Sequence, residues 1–88
     1  MRLSVTVPKR KFNQLARLPV PTYLIGVELR SESSYLVAAQ RIRREPVYSI
    51  TKAYNIGHDS VKIALYEEVM SFWNAAKHLT FHTRFTDA

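Results

Sequence analysis

The sequence predicts a small α+β protein in which a mostly antiparallel sheet is covered by two helices. Short apolar stretches alternate or run continuously as in strands, and one long stretch from Asp59 has helical spacing. The elements follow one another in the order strand, helix, strand, strand, helix. The 88 residues predict a single small domain, 1–88, with a strand–helix–hairpin part at 2–42, a C-terminal helix at 59–79 and a tail at 80–88.

The first two elements meet at Pro8. Residues 2–7 alternate between apolar and polar side chains, which predicts a half-buried strand. Pro8 ends this strand and suits the first turn of a helix. The short helix predicted over 9–18 has an apolar face that includes Phe12 and a solvated face that includes Asn13.

A hairpin is predicted next. Residues 22–30 start with apolar side chains on both faces, which is typical of a central strand covered on two sides. Gly26 has no side chain, so another element or a ligand can approach the backbone closely there. The polar residues 31–34 form a turn, and 35–42 form the second strand, so we expect an antiparallel pair with a loop of about four residues.

Residues 47–50 predict a brief extended segment, and the strongest helical signal follows it. Apolar residues recur with helical spacing in a stripe that we expect to face the core: Val61, Leu65, Val69, Phe72, Ala76 and Leu79. A second apolar stripe lies beside it, and it is the predicted association surface: Ile63, Tyr66, Met70 and Trp73. The combined apolar arc is wide for a surface helix, so one flank is either covered by the fold or meets a partner.

The positive charge is concentrated in the first half of the chain. The net charge is +6 overall, with +7 on residues 1–44 and −1 on residues 45–88. Surfaces of this kind attract phosphate backbones at long range, although a basic surface also serves solubility. The predicted nucleic-acid contacts are Arg2, Lys9, Arg10, Lys11, Arg17, Arg41, Arg43 and Arg44.

Several kinds of chemistry are disfavoured by the sequence. The chain has no cysteine, which excludes disulfides, thiolate metal sites and a cysteine nucleophile. Only two glycines are present, and no nucleotide-binding loop or nucleophile elbow occurs. His78 and His82 have no third ligand nearby in sequence, and Glu67 and Glu68 are expected on the solvated face. We therefore predict no metal site and no catalytic residue in this chain.

The cellular location of the protein is predicted from two features that the sequence lacks. No apolar run approaches the about 18 residues that a membrane span needs, so no membrane partner is expected. The N-terminal residues 1–11 lack the apolar core of a signal peptide, which favours a cytoplasmic protein.

The order of these segments resembles a known family. Residues 4–39 combine a strand, a short helix, a Pro-x-Pro segment, a strand ending in Val-Glu and a Tyr-Leu-Val strand, and residues 47–73 close with Leu-Tyr-x-Glu-Val-x-x-Phe-Trp. This pattern resembles the C-terminal half of a prokaryotic, restriction-endonuclease-like family of unknown function within the PD-(D/E)XK nuclease superfold. The resemblance covers residues 3 to about 75 and rests on the pattern of apolar positions and a few individual residues.

The resemblance implies a nuclease-like fold, DNA as the substrate class and Mg²⁺ as the usual cofactor. The family's catalytic residues, an Asp and a Glu-x-Lys or Gln-x-Lys, would precede Arg2, and neither tripeptide occurs in this chain. No catalytic residue can be carried over, so no cofactor is expected for this chain unless a catalytic half complements it with Mg²⁺. The family's basic helix corresponds to Lys9, Arg10, Lys11 and Arg17, which the resemblance implies are phosphate contacts.

Three hypotheses follow. The first is a non-catalytic, nuclease-like domain that binds DNA or RNA backbones through its basic N-terminal half. The second is one subunit of a split Mg²⁺-dependent nuclease, completed by a partner chain that carries the missing motifs. The third is a structural subunit that forms a homodimer or a complex with another chain through the Ile63–Trp73 stripe.

Overall fold

Four strands and two helices make up the framework of the described residues. The computed structural model describes residues 1–74 and 83–87. The elements are β1 (Arg2–Val7), α1 (Lys9–Ala16), β2 (Tyr23–Glu28), β3 (Ser33–Ala38), β4 (Val47–Thr51) and α2 (Asp59–Asn74). The predicted α+β class is confirmed. Compared with the predicted order of elements, the structure has one additional strand, β4, which corresponds to the brief extended segment expected at 47–50.

The strands form two antiparallel ribbons instead of the one small sheet that was predicted. β1 pairs with β4, with Leu3 opposite Ile50 and an irregularity between Ser4 and Val7. β2 pairs with β3 as the predicted hairpin, and residues 29–32 form its four-residue turn. Glu32 takes the positive φ of 55° that this turn requires.

The two ribbons pack face to face at Gly26. A Cβ atom on Gly26 would lie 2.8 Å from a methyl carbon of Leu3 and 2.8 Å from one of Ile50. Real Cβ atoms essentially never lie this close to another carbon, so a larger residue at this position would force the packed side chains or the ribbons to shift. A first hydrophobic cluster, which includes Leu3, Tyr35, Val37, Val47 and Ile50, fills the space around this contact. Phe12 of α1 joins it. The close approach expected at Gly26 is therefore made by side chains of β1 and β4.

The opposite face of the hairpin carries the second cluster. Leu36 of β3 packs there with Val61 of α2 and with Phe85, whose side chain is 1% exposed. The carbonyl oxygen of Phe85 accepts a hydrogen bond of 2.8 Å from the amide of Ala38. Phe85 lies in the segment predicted as a tail, and its aromatic ring completes the core under α2.

β3, and not β2, is the central strand of the hairpin layer. Leu36 donates its amide proton to Tyr54, and Ile56 donates to Ser34, so a short extended segment lies along the far side of β3. β2 has no such neighbour among the described residues, and the side chains of Ile25 and Val27 are 61% and 56% exposed. The expectation that β2 is covered on both faces was wrong, because α2 packs over β3 and residues 54–56 instead.

α2 follows the predicted core stripe through the described residues. Val61 is buried, and Leu65 packs against the second cluster. The predicted continuation of the helix to Leu79 and the first residues of the predicted tail fall on 75–82, which lie outside the described residues. No described helix is long and apolar enough to cross a membrane.

Candidate nucleic-acid interface

The first basic cluster lies on the first turn of α1. The helix begins after Pro8 and has no acidic residue in its first turn. Lys9, Arg10 and Lys11 are all exposed, because Phe12 supplies the buried contact that fixes the orientation of the helix. Placing three cations at the positive end of the helix dipole is unfavourable unless an anion is near. The cluster therefore has a local electrostatic preference for an anionic ligand.

The second basic cluster is held against α1 by Arg43. Asn13 Oδ1 accepts a hydrogen bond of 2.8 Å from the amide of Arg43, and Asn13 Nδ2 donates one of 3.0 Å to its carbonyl oxygen. The Arg43 guanidinium lies 5.5 Å from the centre of the Phe12 ring. These contacts join clusters that are 30 residues apart in the chain. Asn13 was expected to be solvated, and it is 9% exposed.

Helix geometry decides which α1 cations lie beside the Arg43 contact. Lys9 and Arg17 are one turn before and one turn after Asn13, so all three share a side of the helix. Lys11 is two positions from Asn13, which turns it about 160° away at about 100° per residue. We define the basic surface as Lys9, Arg10, Arg17, Arg41, Arg43 and Arg44. Lys11 belongs to the predicted set but lies on the other flank of α1.

Arg2 differs from the members of the basic surface because its charge is paired. Its guanidinium pairs with Asp87 at 2.7 Å and donates a hydrogen bond of 2.8 Å to the hydroxyl of Ser49. Asp87 in turn accepts a hydrogen bond from the amide of Thr51. Arg2 thus ties the C-terminal segment to β4 through its ion pair with Asp87. In residues 1–74 and 83–87 no ion pair involves a member of the basic surface.

A cavity of about 300 Å³ opens next to the basic surface. Arg41 and Arg43 line one part of it, and Thr86 and Asp87 of the C-terminal segment line another. Phe12 and Ala38 contribute apolar atoms to its wall. The cavity therefore combines cationic, acidic and apolar lining within one small volume.

Glu68 is buried, contrary to the expectation that it is solvated. Its carboxylate accepts hydrogen bonds from the hydroxyl of Tyr23 at 2.6 Å, the hydroxyl of Thr83 at 2.7 Å and the amide of Arg84 at 2.8 Å. Burial, together with the hydrogen bond and charge of Glu68, raises the pKa of Tyr23 well above its ordinary value. These partners lie 15 to 45 residues away, so no local pattern marks Glu68 as buried.

The carboxylates of the described residues do not fit a magnesium site. Mg²⁺ needs oxygen ligands that converge on one point. Glu68 and Asp87 already serve separate parts of the fold, and Glu28 pairs with Lys52 at 2.6 Å. No three metal-binding side chains converge in the part of the chain that the structure describes. His78 and His82 lie outside the described residues. The expectation that Mg²⁺ would come only with a catalytic partner stays a prediction.

The predicted association surface lies on the outer side of α2. Ile63, Tyr66 and Trp73 are more than half exposed, and Met70 is 39% exposed. They point away from Val61 and Glu68, which face the hairpin. Of the two apolar stripes expected on this helix, the first faces the core and the second is uncovered by the described residues.

Comparison with known proteins gives no relative for this chain. No protein-family model matches it. No curated protein and no solved structure matches it either. The resemblance to the restriction-endonuclease-like family therefore stays a prediction.

Proposed function

We propose that this protein is a non-catalytic, nuclease-like domain that binds the sugar–phosphate backbone of nucleic acid through the basic surface. The observation that carries the proposal is the double hydrogen bond between Asn13 and Arg43, which joins the two basic clusters. Without it, each cluster would be a separate group of surface cations. Joined, the two clusters place the six positive charges of the basic surface on α1 and on the adjoining segment after β3.

The exposure of these cations supports backbone binding. Lys9, Arg10, Arg17, Arg41 and Arg44 are exposed, and within the described residues they have no acidic partner to displace. Lysine and arginine side chains in this state bind phosphates by releasing condensed counterions, so affinity falls steeply with salt. Contacts of this kind position a protein on nucleic acid and carry no base information. We therefore expect binding without base specificity.

The test compares two double variants of equal net charge. Arg10→Glu/Arg44→Glu reverses two charges of the basic surface, whereas Arg30→Glu/Lys62→Glu reverses two exposed charges outside it. Fluorescence anisotropy with a labelled duplex at about 50 and about 200 mM salt measures both affinity and its salt dependence. We expect the first variant to lose at least about tenfold in affinity and to reduce the slope of log K against log salt by about 1.8.

The control and the overturning outcomes are defined by the same measurement. The second variant should change affinity less than about threefold, since its residues lie away from the bound phosphates. Equal losses in both variants would show attraction by net charge alone and would overturn the proposed surface. Absence of binding by the unaltered protein at low salt would overturn the function. Cleavage of the DNA in the presence of Mg²⁺, seen on a gel, would overturn its non-catalytic character.

The exposed stripe of α2 favours a second candidate function, association with a second copy of this chain. Its members follow one another at spacings of three, four and three residues, which is the seam that one helix offers to another of the same kind. Sedimentation equilibrium should show a dimer that Met70→Lys/Trp73→Lys dissociates. Tyr48→Lys is the matched control, because Tyr48 is equally exposed but lies on β4. A monomeric unaltered protein would rule out this candidate.

A further inference from the structure

The cavity beside the basic surface has a composition that backbone binding does not use. Arg41 and Arg43 belong both to its lining and to the basic surface. The remaining polar lining includes Thr86 and Asp87, which contribute a hydroxyl and a carboxylate group. A phosphate needs only the two guanidinium groups. The other groups are suited to a ligand with neutral donors and acceptors.

Asp87 is fixed in place by the fold. One of its carboxylate oxygens is paired with Arg2 at 2.7 Å, and the other accepts the amide of Thr51 at 2.8 Å. Each carboxylate oxygen has a second lone pair, so Asp87 can accept a further hydrogen bond from a ligand. Its pairing with Arg2 reduces the repulsion that an unpaired carboxylate would exert on an anionic strand nearby.

We infer that this cavity takes an unpaired nucleotide, whose base enters the cavity while its phosphate lies on the basic surface. The inference rests on the proposed function and names the form of nucleic acid that the site prefers. A base has flat faces that stack on guanidinium planes, and edge groups that pair with hydroxyl and carboxylate partners. The cavity volume of about 300 Å³ is at the lower end for ligand sites, which suits one nucleoside.

A base inside an intact duplex cannot enter this cavity, because it is paired and stacked on both sides. Single strands, frayed ends and bulges present bases that are free to enter. The protein should therefore bind a single strand more tightly than a blunt duplex, although a duplex carries the denser phosphate charge and would be preferred by a purely electrostatic surface.

The test measures anisotropy with a labelled single strand of mixed sequence and with the corresponding blunt duplex. We expect the unaltered protein to bind the single strand about tenfold more tightly. Thr86→Trp fills the cavity without changing any charge, and Thr86 is exposed, so the fold should tolerate the larger side chain. This variant should lose the single-strand advantage and bind the duplex within about twofold of the unaltered protein. Thr6→Trp is the matched control, because Thr6 is exposed on β1 and does not line the cavity.

A second measurement needs no variant. Adenosine monophosphate should displace the labelled single strand at a concentration at least about tenfold below that of inorganic phosphate. Equal affinity for the two nucleic acids, an unchanged single-strand advantage in Thr86→Trp, or equal displacement by the two competitors would each overturn the inference and leave the proposed function standing. Failure to bind either nucleic acid at low salt would overturn both.

Discussion

Asn13 on α1 bonds both backbone groups of Arg43, accepting from its amide at 2.8 Å and donating to its carbonyl oxygen at 3.0 Å. This side-chain amide satisfies the backbone N–H and C=O of one residue, as a neighbouring strand would in a sheet. It gives the segment after β3 a defined position in the absence of regular secondary structure. The arrangement of the basic surface therefore depends on one side chain that carries no charge.

Asn13→Ala tests this dependence directly. Removing the amide leaves the backbone groups of Arg43 without their partner, which should cost about 1–3 kcal/mol in the free energy of unfolding, measured with urea. The variant should also weaken duplex binding although no charge is changed. Gln14→Ala, which alters an exposed amide one position away, should affect neither quantity. Unchanged affinity in folded Asn13→Ala would show that the two clusters act independently.

Gly26→Ala should destabilise the contact between the two ribbons. The added methyl group would lie 2.8 Å from carbon atoms of both Leu3 and Ile50, so the ribbons would have to separate or repack. Overpacking of this kind typically costs about 1–3 kcal/mol, and urea unfolding measures it. Gly57→Ala is the comparison, because its new methyl group would meet only the side chain of Asn55. A smaller loss for Gly26→Ala than for Gly57→Ala would contradict the packing described.

Glu68→Gln should loosen the C-terminal segment. The amide group would replace a carboxylate oxygen that accepts bonds from Tyr23 and Thr83, and we expect a loss of about 1–3 kcal/mol in stability. Hydrogen exchange of the Ala38 amide, which donates to Phe85, should become faster than exchange in the rest of β3. Glu67→Gln, at an exposed position, should leave both quantities unchanged. Uniform acceleration across the protein would indicate global destabilisation instead.

Glu28 should make stability depend on pH in the acid range. Hydrogen bonds from Lys52 and Ser31, both 2.6 Å long, hold the pKa of Glu28 below its ordinary value of 4.5. Because the folded state favours the ionised form, this contribution is complete above pH 4.5 and is lost as the pH falls through the lowered pKa. Urea midpoints measured from neutral pH downward should fall less steeply in Glu28→Gln than in the unaltered protein. Glu32→Gln should follow the unaltered protein, and identical profiles for all three would contradict the prediction.

The local elements were predictable because their signals lie within a few residues. The alternation of residues 2–7 places β1 where the structure has it, and Pro8 marks the start of α1. The helical spacing from Val61 onward identifies α2 and its core side. In each case the periodicity of one segment is sufficient, since the side chains of a helix or strand face one side at fixed intervals.

The tertiary roles could not be read in the same way. Asn13 and Glu68 have the composition of solvated positions, and only partners far along the chain make them buried. The apolar pattern of β2 does not say how far along the strand α2 covers it, so Ile25 and Val27 were expected to be covered. Of the predicted basic residues, Arg2 is paired with Asp87, and Lys11 lies on the other flank of α1. These facts depend on how elements pack, which spacing along the chain does not encode.

The pairing of Arg2 with Asp87 has a consequence for the order in which the protein folds. The two residues are 85 positions apart, whereas the hairpin of β2 and β3 closes over four residues. Closing the longer loop costs about 3 kcal/mol more in chain entropy, so we expect the hairpin to form early and residues 83–87 to dock last. Until then, the surface that Phe85 covers is open to water. During synthesis, Leu36 and Tyr54 would thus lack the cover of Phe85 until residues 83–87 have been made and have docked.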